Sequence, residues 1–311
     1  VGGDEFVILI SNSTKEQVHQ LACSVLEQIE QPIILNGQRI NVAASMGICF
    51  YPEDGKNAKD LLRNADIAMY KAKQQGKKRC LFYNKSMADD ILAKAQIEMQ
   101  LRLAISKNEL SLAYQPQYEL NSKKIIGVEA LLRWTNPQLG PVSPDRMIPV
   151  AEESGLILPL GLWVLNEAVR QIKDWLDRGI FIGRVAVNVA GPQLYNGNLV
   201  EQTQQILALH KVPAKYLALE VTETFIMQHS AIAIKQLQLL HDMDIEIAID
   251  DFGTGYSSLS HLKRLPVNKL KIDKSFINEI PGNKDDIAIT KTIIALANSL
   301  GLRVIAEGVE T

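Results

Sequence analysis

Little in this chain of 311 residues points to a partner gathered by charge. Lysine and arginine number 33 against 35 aspartates and glutamates, a net charge of −2. No global basic field therefore suits a nucleic acid polymer or an anionic membrane, although local lysines remain available for a phosphorylated small molecule. Cysteine is scarce. Cys23, Cys49 and Cys80 are an odd number with no C-x-x-C pair, which fits reduced thiols in a cytosolic protein and gives no ground for a disulfide scaffold or a zinc site. The five histidines are scattered without metal-ligand spacing. No run reaches the ~18 apolar residues of a membrane span. The best candidate, "GLILPLGLWVL", contains Pro159 and is bounded by Glu152, Glu153 and Glu167. No signal peptide is evident, and the chain opens at Val1 instead of a methionine. An upstream region is therefore expected, where a membrane or sensor segment would anchor domains that are themselves cytoplasmic.

What the chain does have is an ordinary globular balance, 47% hydrophobic and 22% charged, long enough for a large core and more than one domain. The first part opens with "VGGDEFVILI", a glycine turn running into an expected strand. A helical pattern follows over "KEQVHQLACSVLEQIEQ", strand-like runs in "QRINVAASMGICFY", and a helix in "AKDLLRNADIAMYKAKQQG" that ends at Gly76. "KKRCLFYN" reads as a last short strand. From Lys85 to about Lys107 the chain has few breakers and reads as a connecting helix. The expected domains are thus 1–86, a connector 87–107, and 108–311.

Beyond that point the pattern becomes rhythmic. Apolar strands are expected at "LSLAYQPQ", "KIIGVEAL", "RVAVNVA", "YLALEVTE", "EIAIDDF", "KLKID" and "RVIAEGVE", with helical runs between most of them. Alternating strand and helix argues for a parallel sheet with helices outside. The expected fold is α/β, a (β/α)₈ TIM-like barrel of which seven strands are counted, the chain stopping at Thr311 where the last unit should start.

Reactive residues of such a barrel gather at the C-terminal ends of its strands. Polar residues stand at those ends: Glu129, Asn188, Glu220, Asp250 with Asp251, Lys271 with Asp273, and Glu307. Most successive pairs are spaced near the ~30 residues of one βαβ unit. Each has a bland alternative: a solvated rim for Glu129, a turn for Asn188, a surface ammonium for Lys271, a helix-start charge for Glu223. Asp250 and Asp251, before the turn Phe252-Gly253-Thr254-Gly255, read equally as a helix cap or a metal site. Taken jointly, so many carboxylates on one rim call for cations. Hard oxygen ligands suit Mg²⁺ or Mn²⁺, and two such ions would clamp the attacking and leaving oxygens of a phosphate ester.

"EALLRW" from Glu129 to Trp134, "NVA", "EVTET", "DDFGTGYSSL", "KLKIDKSFI" and "AEGVET" resemble, in order and spacing, the successive motifs of the EAL domain family of cyclic di-GMP phosphodiesterases. The similarity covers roughly Asp90 to Thr311. "GGDEF" (Gly2, Gly3, Asp4, Glu5, Phe6), "SMGICFYPEDG" and "NADIAMYKAKQQGKKRCLFY" resemble the C-terminal half of a GGDEF domain, the diguanylate cyclase fold. The resemblance implies hydrolysis of cyclic di-GMP to linear pGpG. It also implies that Glu129, Asn188, Glu220 and Asp250 ligate one metal ion, with Asp251 at the second and Asp273 close by. Lys271 would orient the attacking water or stabilise charge at phosphorus, and Glu307 would act as a base or second-metal partner. Gln115 and Arg133 would contact the dinucleotide, Arg133 through a fork suited to phosphate. Glu223 would hold the loop Phe252 to Ser258, a region that family dimers use at their interface.

Departures accompany the resemblance. The family's Asn-x-Ser reads Asn188-Val189-Ala190, which keeps the amide and loses a hydroxyl. The family's C-terminal Gln-Gly-Tyr stretch, with the eighth strand, is absent, as are the first strands of the GGDEF half with their metal-binding Asp. Cyclase activity is therefore not expected of this chain by itself. Two other functions stand beside hydrolysis: a receptor that binds cyclic di-GMP without turnover, and a bifunctional parent whose intact GGDEF domain takes GTP.

Overall fold

The computed structural model describes residues 3–309 apart from 181, 182, 197, 229 and 256–261. The chain divides into two compact units, Val1–Gln96 and Ile97–Thr311. Among the described residues no helix is long and apolar enough to cross a membrane.

In the first unit, α1 (Lys15–Ile29) starts at a reciprocal cap. The Thr14 hydroxyl accepts from the Gln17 amide at 3.3 Å, and the Gln17 side chain accepts from the Thr14 amide at 2.9 Å, so two otherwise orphaned donors are satisfied. Val18, Ala22 and Leu26 recur every fourth residue and form its buried stripe. β1 (Ile33–Leu35) and β2 (Gln38–Ile40) make an antiparallel hairpin over Asn36-Gly37, both at positive φ, the residue pair such two-residue turns require. β3 (Met46–Ile48) and β4 (Cys80–Phe82) pair in parallel, with α2 (Ala58–Gln74) between them in sequence. At Gly47 a Cβ would stand 1.8 Å from the carbonyl oxygen of Ala65. Only glycine lets α2 lie this close to the strand. The strand expected over Phe6–Ile10 is not formed. These residues make no ladder among the described residues and their side chains are exposed; an apolar run becomes a strand only through a paired neighbour. α3 (Lys85–Ala104) carries the chain into the second unit.

The second unit is built on a curled sheet in the order β12-β11-β10-β9-β8-β6-β5. Its strands are β5 (Leu110–Tyr118), β6 (Ile125–Asn136), β8 (Arg184–Val189), β9 (Leu217–Thr222), β10 (Glu246–Phe252), β11 (Lys269–Ile272) and β12 (Arg303–Ala306), with β7 (Gly140–Val142) on the side of β6. From β6 to β12 the neighbours on this path pair in parallel. The first pair departs from the expected parallel sheet: β5 and β6 are antiparallel. The reason is the link. Glu119 to Lys124 is a short turn closed by Glu119–Lys124 and Lys123–Glu119 backbone bonds, and a parallel pair would need a crossover.

Period-two alternation sorts the strands into two faces. Val185, Val187 and Val189, Leu217, Leu219 and Val221, Ile245, Ile247 and Ile249, and Leu270 with Ile272 belong to the main hydrophobic core. Packed in the same core are Val164, Leu165 and Ala168 of α5 (Ile157–Asp177), Ile206 and Leu207 of α7 (Leu199–His210), Leu237 and Leu240 of α9 (Ser230–Asp242), and Ile293 and Ala297 of α10 (Lys284–Ser299). The opposite face carries small or polar residues. Ala186, Ala218 and Ala248 are buried; Ala186 stands beside Ala218 in register and Ala248 beside Glu220. The arrangement is the TIM-like architecture of the expected class.

Candidate active site

The C-terminal strand ends bring the charged residues together. β6 supplies Glu129, β8 Asn188, β9 Glu220, β10 Asp250 and Asp251, and β11 Lys271. Asp273 and Glu307 follow β11 and β12 directly, Glu307 held by its amide on the Ile272 carbonyl at 3.1 Å. At the centre is Lys271, 1% exposed. Its Nζ lies 2.5 Å from Glu220, 2.6 Å from Glu307, 3.0 Å from Asp250 and 3.2 Å from Glu129. The surface-ammonium alternative is thereby overturned. An ammonium has three N–H donors, so four carboxylates cannot all be satisfied by hydrogen bonds from it. One oxygen of Glu220 is in fact buried without a hydrogen-bond partner. Asn188 lies within β8, not in a turn, and donates to Glu129 at 2.8 Å.

The electrostatics follow from that crowding. Burial works to lower the Lys271 pKa, but Glu220, Asp250, Glu129 and Glu307 together outweigh it and raise it. Burial pushes the Glu220 carboxyl up to about 8 against the pull of Lys271. Glu307 is raised by burial too, with Lys271 opposing. Asp251 is raised by burial, then by the charges of Asp250 and Asp273. In Asp273 burial acts upward, but hydrogen bonds from Ser275 and Asp251 bring the carboxyl below its usual value.

Local structure presents these groups. Asp250 Oδ1 accepts from the Asp251 amide at 3.0 Å as well as facing Lys271. Asp251 adopts φ 53°, a left-handed conformation that aspartate and asparagine tolerate better than most residues. Its carbonyl accepts from the Thr254 hydroxyl at 2.8 Å, so the backbone makes the turn while the carboxyl turns to Asp273. It is Asp273 that caps a helical turn, accepting from the Ser275 amide at 2.9 Å. Glu223, buried at the start of α8 (Glu223–Gln228), accepts from the Gly253 amide at 2.7 Å. Gly253 has φ +103°, which excludes most side chains. The carboxylates of Asp250, Asp251 and Glu307 each offer an oxygen within 4.8 Å of the others.

Gln115 stands directly across from Glu129 in the β5–β6 register, and Arg133 four residues beyond Glu129; both are exposed. Arg133 donates to the Leu132 carbonyl at 2.9 Å. Of the GGDEF residues, Gly3 sits in a turn and Asp4, Glu5 and Phe6 are exposed, all in the first unit, while Gly2 lies outside the described residues. So do 256–258 of the loop after Asp251 and the last two residues of "AEGVET". Sequence reasoning missed a second ion cluster at the opposite strand ends. Glu246, 2% exposed, is paired with Lys269 at 2.8 Å, Arg184 at 3.4 Å and Arg303. A cavity of about 410 Å³ opens there. Its signal was parity: Arg184, Glu246, Lys269 and Arg303 stand two or four residues before Asn188, Asp250, Lys271 and Glu307, on the same strand face.

Residues 98–311 match the family model described as EAL domain. The chain belongs to the EAL domain family. Residues 1–79 match the model described as Diguanylate cyclase, GGDEF domain. The chain is 43% identical over 311 residues, all of its length and 45% of the relative's, to the Bifunctional diguanylate cyclase/cyclic di-GMP phosphodiesterase MucR of Pseudomonas aeruginosa. It is 38% identical over 309 residues to the Cyclic di-GMP phosphodiesterase NbdA of the same organism, 99% of this chain and 40% of that one. It thus spans less than half the length of these curated relatives. Among solved structures, "PaMucR Phosphodiesterase, c-di-GMP complex" is similar at 45% identity and a TM-score of 0.67, over 70% of this chain and 87% of that chain. EAL domains are generally metal-dependent phosphodiesterases.

Proposed function

We propose that the EAL unit hydrolyses cyclic di-GMP to linear pGpG with two divalent cations, Mg²⁺ or Mn²⁺. The observation that carries this reading is the crowding of Glu129, Glu220, Asp250 and Glu307 around one lysine, with Asp251 beside them and one Glu220 oxygen buried and unsatisfied. Hard oxygen donors in excess of their counter-charge fit such cations. Glu129, Asn188, Glu220 and Asp250 would hold one and Asp251 the other, with Asp273 adjoining. When bound, the ions supply a coordinated water of lowered pKa and neutralise charge on the phosphate.

The chain's own groups have distinct tasks. Lys271, held protonated by its carboxylates, does not act as a base; it donates hydrogen bonds and keeps a fixed positive charge beside the reacting phosphate. Glu307, its carboxyl raised by burial, takes the proton of the attacking water. Gln115 and Arg133, exposed on the paired first strands, bind the dinucleotide, Arg133 through a phosphate. Glu223 keeps the Asp251 turn in shape through Gly253. In the parent protein the GGDEF domain takes GTP, a reading that the family match supports, and EAL units pair as a homodimer, a reading that rests on the resemblance.

The test is to incubate the full-length protein with cyclic di-GMP, and separately with GTP, in Mg²⁺ or Mn²⁺ and to chromatograph the products. Linear pGpG that disappears on chelation is expected. Turnover undiminished after exhaustive chelation overturns the reading, and binding without product supports the receptor instead.

A further inference from the structure

The scarce cysteines do not lie apart. Residues 19 and 23 sit one turn apart on α1, beside its buried Val18–Ala22–Leu26 stripe, so His19 and Cys23 share one helix face. Cys80, the first residue of β4, meets that face. Its Sγ lies 3.5 Å from Nδ1 of His19, and Sγ of Cys23 lies 3.7 Å from Nε2. One ring nitrogen and both sulfurs lie within 4.8 Å of one another. The Phe82 ring packs beside the imidazole at 5.8 Å. Both thiols are half-buried and His19 is exposed, which leaves an approach from solvent. The spacing of the cysteines alone gives no zinc pattern, but the fold brings together two candidate ligands at i,i+4 on one helix face and a third from a strand about 60 residues on.

Three ligands with Zn–S and Zn–N bonds of about 2.3 and 2.0 Å in a tetrahedron would stand roughly 3.5–3.8 Å apart. The two N···S distances are of this size but run to different ring nitrogens, Cys80 to Nδ1 and Cys23 to Nε2. Since one nitrogen lies within 4.8 Å of both sulfurs, a turn of the imidazole and of the thiols brings three ligands to a cation with no movement of the helix. We propose that His19, Cys23 and Cys80 form a binding site for a thiophilic divalent cation of the zinc class, with the fourth position open to water. Each thiol releases its proton on binding, and the metal ties α1 to β4. The site is independent of the carboxylate cluster and differs from it in kind, since sulfur and imidazole select softer ions than oxygen does. Cys49 has no place in the cluster and serves as an internal control.

The experiment is a Co²⁺ titration of the chain under a thiol-free reductant. Thiolate ligation gives an intense near-ultraviolet charge-transfer band and strong visible bands of a tetrahedral ion; carboxylate ligation gives neither. One equivalent is expected, displaced by one equivalent of Zn²⁺. The band should persist in Cys49→Ser, vanish in Cys23→Ser and Cys80→Ser, and need at least about tenfold more Co²⁺ in His19→Ala. Zn²⁺ should also raise the melting temperature of the first unit in the unmutated chain and not in Cys23→Ser, a readout available if a variant folds poorly. Absence of the charge-transfer band from the folded unmutated chain overturns the proposal. So does an equal band in the Cys23→Ser/Cys80→Ser double variant, or thiols that do nothing but hydrogen-bond to His19 or oxidise to a disulfide.

Discussion

The two ends of the same strand face hold charge clusters of opposite sign. At the C-terminal ends one buried lysine, Lys271, is surrounded by Glu129, Glu220, Asp250 and Glu307. At the N-terminal ends one buried glutamate, Glu246, is surrounded by Lys269, Arg184 and Arg303. Both place a minority charge at the centre, yet they differ in what remains. Arg303 is 62% exposed at its side chain and Arg184 30%, so the excess positive charge meets water. The carboxylates of the upper cluster are largely withdrawn, Glu220 entirely. A cluster that solvent can balance is structural; one that solvent cannot balance calls for ions.

The largest effects should come from removing either central charge. Lys271→Met leaves four carboxylates with no buried cation, and Glu246→Gln leaves three cations with no anion. Each should lose about 3–5 kcal/mol in denaturant unfolding. Adding Mg²⁺ or Mn²⁺ should restore part of the Lys271→Met loss and none of the Glu246→Gln loss. Equal recovery of both would erase the distinction drawn between the two ends.

Next in size is Asp250→Asn in the full-length protein. Cyclic di-GMP cleavage should fall by more than about 100-fold, beyond the 10–100-fold typical of partners that only orient a ligand, while the melting temperature holds or rises because one repelling carboxylate has gone. Asp251→Asn should act similarly, since asparagine also tolerates the left-handed turn. Near-normal turnover at limiting Mg²⁺ would return both aspartates to a structural role.

A smaller effect sharpens the contrast between the lysines. Burial, assisted by Arg184, lowers the Lys269 pKa from 10.5 to about 8. Between those values the unfolded chain binds the proton and the folded chain does not. The contribution of Lys269 to stability is therefore unfavourable below about 8 and improves as pH rises toward 10.5. Lys269→Met should melt at the same or a higher temperature than the parent at pH 7, and should lack this rise at alkaline pH. A loss matching that of Lys271→Met would show that the two lysines are equivalent. The smallest change is Glu223→Gln, which keeps an acceptor for the Gly253 amide but removes its charge, a loss of about 1 kcal/mol. It should raise the Mg²⁺ concentration needed for half-maximal turnover and lower the unfolding free energy by no more than that amount.

The legible part of the molecule was what repeats. Strand–helix alternation gave the TIM-like class, and strand-end position located Glu129, Asn188, Glu220, Asp250, Lys271 and Glu307 on one rim. What was hidden depends on pairing between distant residues. Phe6–Ile10 has the composition of a strand and no ladder to join, and β5 turns back on β6 because its connection is short. Parity would have exposed the Glu246 cluster, but uninterrupted apolar letters drew attention to the helix-facing side of the strands. The neighbours of Lys271 were named one by one, whereas its complete enclosure is a property of the curled sheet. Cys80 is similarly remote from His19 and Cys23 in sequence and adjacent in space.

Ala186, Ala218 and Ala248, buried between the two ion layers, make the barrel interior an electrical medium. On β11 the layers come closest, since Lys269 and Lys271 are two residues apart, about 7 Å along the strand, with no residue of that face between them. At an effective dielectric constant near 20, unit charges about 7 Å apart interact by about 2 kcal/mol, and across the layers the charge of Glu220 raises the Lys269 pKa against burial. By reciprocity, the Lys269 ammonium favours the ionised form of Glu220. A residue on the hidden floor thus bears on the acidity of a carboxylate of the rim, which gives the protein a way to tune its chemistry without altering any group that meets substrate.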